Sequence, residues 1–181
     1  AVIDERAARG PFKDFADLIR RVQHKDLNKK SLESLTKCGA LDSLGFERNL
    51  IVGNIDAIVQ FAGALRRAQT SPQGGLFAVA APSNRSLKLK PMPPAPVSDK
   101  LLWEKELLGL YVSDHPLNPH REKIQHVKAR TINQALQEKS EMVRFITAGL
   151  VTNVHRIVTK KGKPMLFAKL EDFDQGIEVI V

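Results

Sequence analysis

Leu27-Asn28-Lys29-Lys30-Ser31-Leu32-Glu33-Ser34-Leu35-Thr36-Lys37-Cys38-Gly39-Ala40-Leu41-Asp42-Ser43-Leu44-Gly45 is the stretch that sets the fold of the first third of the chain. Asn28 can cap a helix that carries Leu32 and Leu35, Gly39 ends that helix, and Asp42 starts the next element. Two short helices joined by a glycine turn can expose backbone N–H groups at a helix N-terminus. Unpaired donors and the helix dipole both favour an anion there. Lys29, Lys30 and Lys37 add positive charge, so these lysines with Gly39 and Ala40 form a candidate phosphate contact. The same pattern also fits an ordinary helix–helix corner.

Helical periodicity continues on both sides of this stretch. Ala1 to Arg9 is a short helical pattern stopped by Gly10-Pro11, because proline disfavours helix for the residue before it. Phe12, Phe15, Leu18, Ile19 and Val22 follow at helical spacing, with Asp14 as a cap. A longer helix is predicted from about Asn49, carrying Ile51, Ile55, Ile58, Val59, Ala62 and Leu65 on one face. Residues 1–70 therefore read as one helical region. Residues 71–98 hold six of the ten prolines and read as an extended, largely solvated linker. Residues 99–140 read as a helical connector: Leu101, Leu102, Trp103, Leu107, Leu108 and Leu110 make a dense apolar pattern closed near Gly109, and Thr131 caps a short helix through Leu136. Residues 141–181 switch to strands, over Phe145–Val158, Met165–Leu170 and Ile177–Val181, separated by turns at Lys160–Pro164 and Asp172–Gly176. The fold class is thus α+β: all-α first, then three antiparallel strands. Both ends look cut, so a piece of a longer protein is expected.

Composition narrows the function. The 181 residues carry 28 Lys and Arg against 20 Asp and Glu, a formal charge of +8, with a mean hydropathy of −0.22. That excess points to a polyanion, most simply nucleic acid. No run approaches the ~20 apolar residues of a membrane-spanning helix. Ala1–Arg9 carries charges of both signs, unlike an export signal, so a reducing cytoplasm is the expected setting. The single cysteine, Cys38, excludes an internal disulfide framework and any multi-cysteine zinc site, and a buried small side chain is its default role.

Two further stretches carry possible chemistry. Gln73-Gly74-Gly75-Leu76-Phe77 places a glutamine and an adjacent apolar pair, spaced by glycines, in a linker without a core to join. Such a pair suits a pocket on a partner protein, although it could also fold back on the helical region. Between Glu141 and Glu171 there is no acid, while Arg156, Lys160, Lys161 and Lys163 cluster around the first β-turn. A short barrel with a basic loop suits single-stranded nucleic acid, and a solvated charged turn is the bland alternative. Glu171, Asp172 and Asp174 are read as turn formers around Gly176 rather than metal ligands. His24, His115, His120, His126 and His155 show no ligand pairing, and no catalytic constellation or metal site is assigned.

Taken together, these pieces resemble the bacterial DNA polymerase III alpha-subunit family. The resemblance rests on Gly10-Pro11-Phe12 with Asp14-Phe15, on the Leu27–Gly45 hairpin, on Glu104-Lys105-Glu106-Leu107-Leu108-Gly109-Leu110-Tyr111-Val112-Ser113-Asp114-His115-Pro116-Leu117, and on Gly149–Asp172. The third of these matches a family signature nearly residue for residue, with Asp114 where glycine is usual. The resemblance implies the second hairpin of a tandem helix-hairpin-helix unit and the opening strands of a five-stranded OB barrel. It implies that Gln73, Leu76 and Phe77 bind the sliding clamp and that the hairpin contacts DNA, alongside other replisome subunits. It also implies a DNA-directed DNA polymerase using Mg²⁺, whose palm aspartates are not among these residues. This stretch would need no cofactor of its own. An error-prone paralogue, a free-standing single-strand-binding OB protein and a helical adaptor are the alternatives.

Overall fold

A computed structural model describes residues 1–22, 24–70, 87–138, 143–160 and 162–181. The clamp-peptide residues Gln73–Phe77 and Lys161 of the basic loop lie outside them. The chain forms two compact units, Ala1–Ser113 and Asp114–Val181. The division falls inside the stretch read as a helical connector.

The first unit is helical: α1 (Val2–Arg9), α2 (Phe15–Arg21), α3 (Lys29–Lys37), a 3₁₀ turn over Asp42–Leu44, α4 (Arg48–Gly53), α5 (Ile55–Thr70) and α6 (Val97–Leu108). The caps fall where the sequence places them. Asp14 accepts from the Asp17 N–H at 2.7 Å, and Asn28 and Ser31 exchange bonds as a capping box. The core is Phe15, Leu18, Ile19, Leu32, Ile51 and Ile58, each at most 1% exposed. Burying each such side chain is worth about 1.5–3 kcal/mol. Arg21 closes the Gly10-Pro11 corner, bonding the carbonyls of Glu5, Gly10 and Pro11 and lying 4.4 Å over the Phe12 ring.

Two sequence expectations are corrected in this unit. The single long helix from Asn49 is two helices, broken at Asn54, and α4 already starts at Arg48. Residues 87–96 are not a solvated linker but lie docked along α4 and α5. The Asn54 amide brackets the Lys90 peptide, donating to its carbonyl at 2.9 Å and accepting its N–H at 2.8 Å. Asn49 donates to the Pro93 carbonyl, and Glu47 accepts the Ala95 N–H. Leu87 and Leu89 pack on the core, while Met92 sits so close to Gly53 that a Cβ there would meet its Cε at 2.7 Å. In α6 the dense apolar pattern is not a core stripe. Leu101 and Glu104 are buried, but Leu102, Leu107 and Leu108 are exposed.

The second unit has a 3₁₀ turn over Asn118–His120, then α7 (Arg121–His126), α8 (Ile132–Gln137), β1 (Leu150–Val158), β2 (Pro164–Glu171) and β3 (Gly176–Ile180). The strands form an open antiparallel meander in the order β1-β2-β3, the arrangement expected of opening OB strands. The first strand starts at Leu150 rather than Phe145, and its register slips between Val151 and Asn153. Thr131 caps α8 with Gln134 in a capping box. Asp172 is the hub of the β2–β3 turn, accepting N–H bonds from Asp174 and Gln175, both at 2.9 Å, and from Ile132 at 2.6 Å. Burial pushes its carboxyl up, but those bonds outweigh the cost and hold it below the ordinary carboxylate range. Asp114, where the resembling signature has glycine, accepts from the His115 N–H at 2.8 Å and from the Asn118 amide.

Candidate nucleic-acid interface

The hairpin after α3 is tied down from within. Gly39 has φ +81, a conformation that favours glycine. Its N–H donates to the Thr36 carbonyl, Ala40 N–H to Leu35 and Asp42 N–H to Gly39, at 3.0–3.1 Å. The sequence reading of free N–H donors is therefore corrected at Gly39, Ala40 and Asp42, whose donors are spent inside the turn. Cys38 is half-exposed rather than buried, its thiol 3.4 Å from the Leu35 carbonyl.

Beneath this turn lies an ion cluster that the sequence reading missed. Arg48, 3% exposed, bonds both Asp42 oxygens through Nε, with Nη2 2.6 Å from Asp42 Oδ2. Its Nη1 donates to the Lys37 carbonyl and lies 2.8 Å from Glu104 Oε1. A Cβ on Gly39 would lie 2.5 Å from Arg48 Nη2, so the guanidinium occupies the space that glycine leaves. Glu104, fully buried, accepts the N–H groups of Val112 at 2.7 Å and Ser113 at 2.9 Å through Oε2. Burial pushes the Glu104 carboxyl up, but the Ser113 and Val112 N–H groups and the Arg48 guanidinium prevail and hold its pKa at about 2. The only sequence signal for this role is an acid three residues after Leu101 on the inward side of α6.

The hairpin lysines differ in availability. Lys29 pairs with Asp56 at 2.6 Å, both exposed. Lys37 pairs with Glu33 at 2.7 Å and lies 5.6 Å over the Trp103 ring. Lys30 is exposed and has no ion pair among the described residues. Exposed pairs such as Lys29–Asp56 are worth roughly 0–1 kcal/mol, so a phosphate can replace the carboxylate.

In the second unit, Lys160 and Lys163 stand exposed on the β1–β2 turn. That turn is closed by Thr159 N–H to the Lys163 carbonyl at 2.9 Å and by Gly162 at φ +75. Cross-strand pairing sets Asn153, Lys169 and Glu178 beside His155, Phe167 and Ile180 on one face of the sheet. A shallow cleft of about 270 Å³ lies among Asn153, His155, Phe167 and Lys169. Arg156 pairs opposite Leu166 on the other face. Of the aromatics, Phe167 is half-buried in the cleft face, whereas Phe173 is covered by Arg121 and His115. The hairpin lysines and the loop lysines belong to different units, and among the described residues no His, Cys, Asp or Glu cluster could hold a metal ion. No described helix is long and apolar enough to cross a membrane.

Residues 1–51 match the helix-hairpin-helix motif family. The whole chain is similar to proteins named DNA polymerase III subunit alpha. The relative from Borreliella burgdorferi is 34% identical over 185 residues, covering 99% of this chain and 16% of that protein. The relative from Mycobacterium leprae is 34% identical over 188 residues, with 99% and 16% covered, and that from Thermus aquaticus is 31% identical over 186 residues, with 100% and 15% covered. The chain thus spans about a sixth of the length of the relatives it matches.

Proposed function

We propose, from the premise that this chain belongs to the bacterial DNA polymerase III alpha-subunit family, that it grips the DNA backbone and tethers a replicative polymerase to its sliding clamp. The observation that carries this is the match along essentially the whole chain, with the helix-hairpin-helix motif and the three-stranded meander in the expected order. In this reading the stretch is non-catalytic, and template-directed synthesis belongs to the polymerase as a whole.

DNA contact is assigned to cationic side chains rather than to hairpin N–H groups. Lys30, Lys29 and Lys37 flank the hairpin, and the Arg48 cluster fixes the shape of its turn. Lys160, Lys161 and Lys163 provide a second cationic site, and Arg156 lies on the strand that leads into it. Clamp contact is assigned to Gln73, Gly74, Gly75, Leu76 and Phe77, which lie between α5 and the docked segment 87–96.

The DNA half is tested by salt titration. Affinity for a labelled oligonucleotide should fall steeply with salt through counterion release. Changing Lys160, Lys161 and Lys163 together to alanine should reduce the log–log slope by about 2–3, at roughly 0.7–0.9 per phosphate contact. An unchanged slope would remove this loop from the interface.

A further inference from the structure

A third basic surface, which neither the sequence reading nor the family match assigns, lies on α7 and the turn after it. Residues 121–130 carry Arg121, Lys123, Lys128 and Arg130 against the single acid Glu122. Lys123 and Lys128 are exposed and have no ion pair among the described residues. Ile124 and Ala129 are the half-buried members of the stretch, so its cations face away from the packed side.

Lys128 is the informative residue. Its φ is +52, and it is the one non-glycine with positive φ among the described residues. It closes α7: its N–H donates to the Gln125 carbonyl at 2.9 Å, and the Ala129 N–H donates to Ile124 at 3.2 Å. Glycine or asparagine holds this conformation at lower cost than lysine. A cation near a helix C-terminus also complements the dipole. Lys123 already does so from within the last turn, without backbone strain. Lysine at 128 therefore stands against the local preference, and strain of this kind points to use.

At the other end of α7, Arg121 is held in place. Its guanidinium lies 4.4 Å over the Phe173 ring, Nη2 donates to Asn118 Oδ1 at 3.1 Å, and His115 packs on the same ring at 4.7 Å. Arg121 opens α7 and Lys128 closes it, so the two cations stand at opposite ends of the same short helix. Phe173 belongs to the β2–β3 turn, so this surface lies at the opposite end of the sheet from the Lys160 and Lys163 loop. The eight residues of β2 between them make roughly 26 Å at about 3.3 Å per residue.

We propose that Arg121 and Lys128 form a second nucleic-acid phosphate contact on the strand-bearing unit, distinct from the β1–β2 loop. This rests on the reading that the chain binds DNA. The test uses the whole chain with a labelled 20-nucleotide single strand and a labelled 20-base-pair duplex. Lys128→Gly should lower the salt slope by about 0.7 on the single strand or about 0.9 on the duplex. Its melting temperature should hold or rise. Lys128→Asn, which also tolerates this conformation, should give the same slope loss, and Arg121→Gln/Lys128→Gly should lose about twice as much. The probe that shows the loss identifies the strand form recognised. An unaltered slope in both Lys128 variants, whatever the melting temperature does, would overturn the proposal. The loop-lysine variant, measured beside them, would then show whether DNA binding itself stands. Failure of the unaltered chain to bind either probe would overturn both readings.

Discussion

Replacing Leu76 and Phe77 together by alanine is expected to weaken binding of a cognate sliding clamp by roughly two to four decades. The two side chains form an adjacent apolar pair, with Gln73 three residues before Leu76 to make polar contacts at a pocket rim. Gly74 and Gly75 allow the backbone to bend without steric cost. Full burial of each apolar side chain is worth roughly 1.5–3 kcal/mol, so the pair should cost about 3–5 kcal/mol. Ordering the segment on binding subtracts from the gross gain, which makes the intact contact modest rather than tight. Isothermal titration of the clamp with both forms of the chain decides the matter. Equal binding would place the contact elsewhere, and no binding by either would leave the peptide without this role.

The second large effect lies inside the helical unit. Glu104→Ala removes the carboxylate that faces Arg48 and accepts the Val112 and Ser113 N–H groups. Breaking a buried pair by removing one partner costs about 3–5 kcal/mol, because it leaves a buried charge uncompensated. Arg48→Ala should cost a similar amount. The double variant should cost much less than the sum, since both changes disable one cluster. Urea unfolding of the four proteins gives the cycle, and simple additivity would contradict a shared cluster.

The same carboxylate predicts a pH dependence. Its folded pKa of about 2 lies below the ordinary 4.5, so the folded state favours the ionised form. The associated stability is fully present above about pH 4.5 and is lost as pH falls toward 2, amounting to up to about 3 kcal/mol by linkage. Glu104→Gln should therefore flatten the stability profile between pH 4.5 and 2. A profile as steep as that of the unaltered protein would assign the titration to other carboxylates.

Local chemistry explains which parts of the fold were legible. The Asp14, Asn28 and Thr131 caps, the Gly39 turn and the three strands each rest on residues close in sequence, and each forms as expected except that the first strand starts at Leu150 rather than Phe145. The parts that were not legible depend on partners far apart in the chain. Proline density correctly signalled that residues 87–96 have no ladder of their own. It could not show that Asn49, Asn54 and Glu47 would satisfy their backbone from another helix. Nothing in the spacing of the α6 leucines reveals that α6 turns Leu101 and Glu104 inward and leaves Leu102, Leu107 and Leu108 exposed. Arg48 and Glu104 are separated by 56 positions, so their pairing left no local mark. At the hairpin, the glycine turn after α3 was legible. The direction of the N–H groups, set by the turn's own hydrogen bonds, was not.

In the proposed function, one chain holds both DNA and clamp. The most direct test compares its affinity for a free sliding clamp with its affinity for the same clamp closed around primed DNA. If both contacts belong to this chain, the second becomes intramolecular once the first forms. The clamp on DNA should then bind at least about tenfold more tightly than the free clamp. That advantage should shrink in the Lys160, Lys161 and Lys163 triple variant. Equal affinity for the free and DNA-loaded clamp, unchanged in that variant, would contradict the claim.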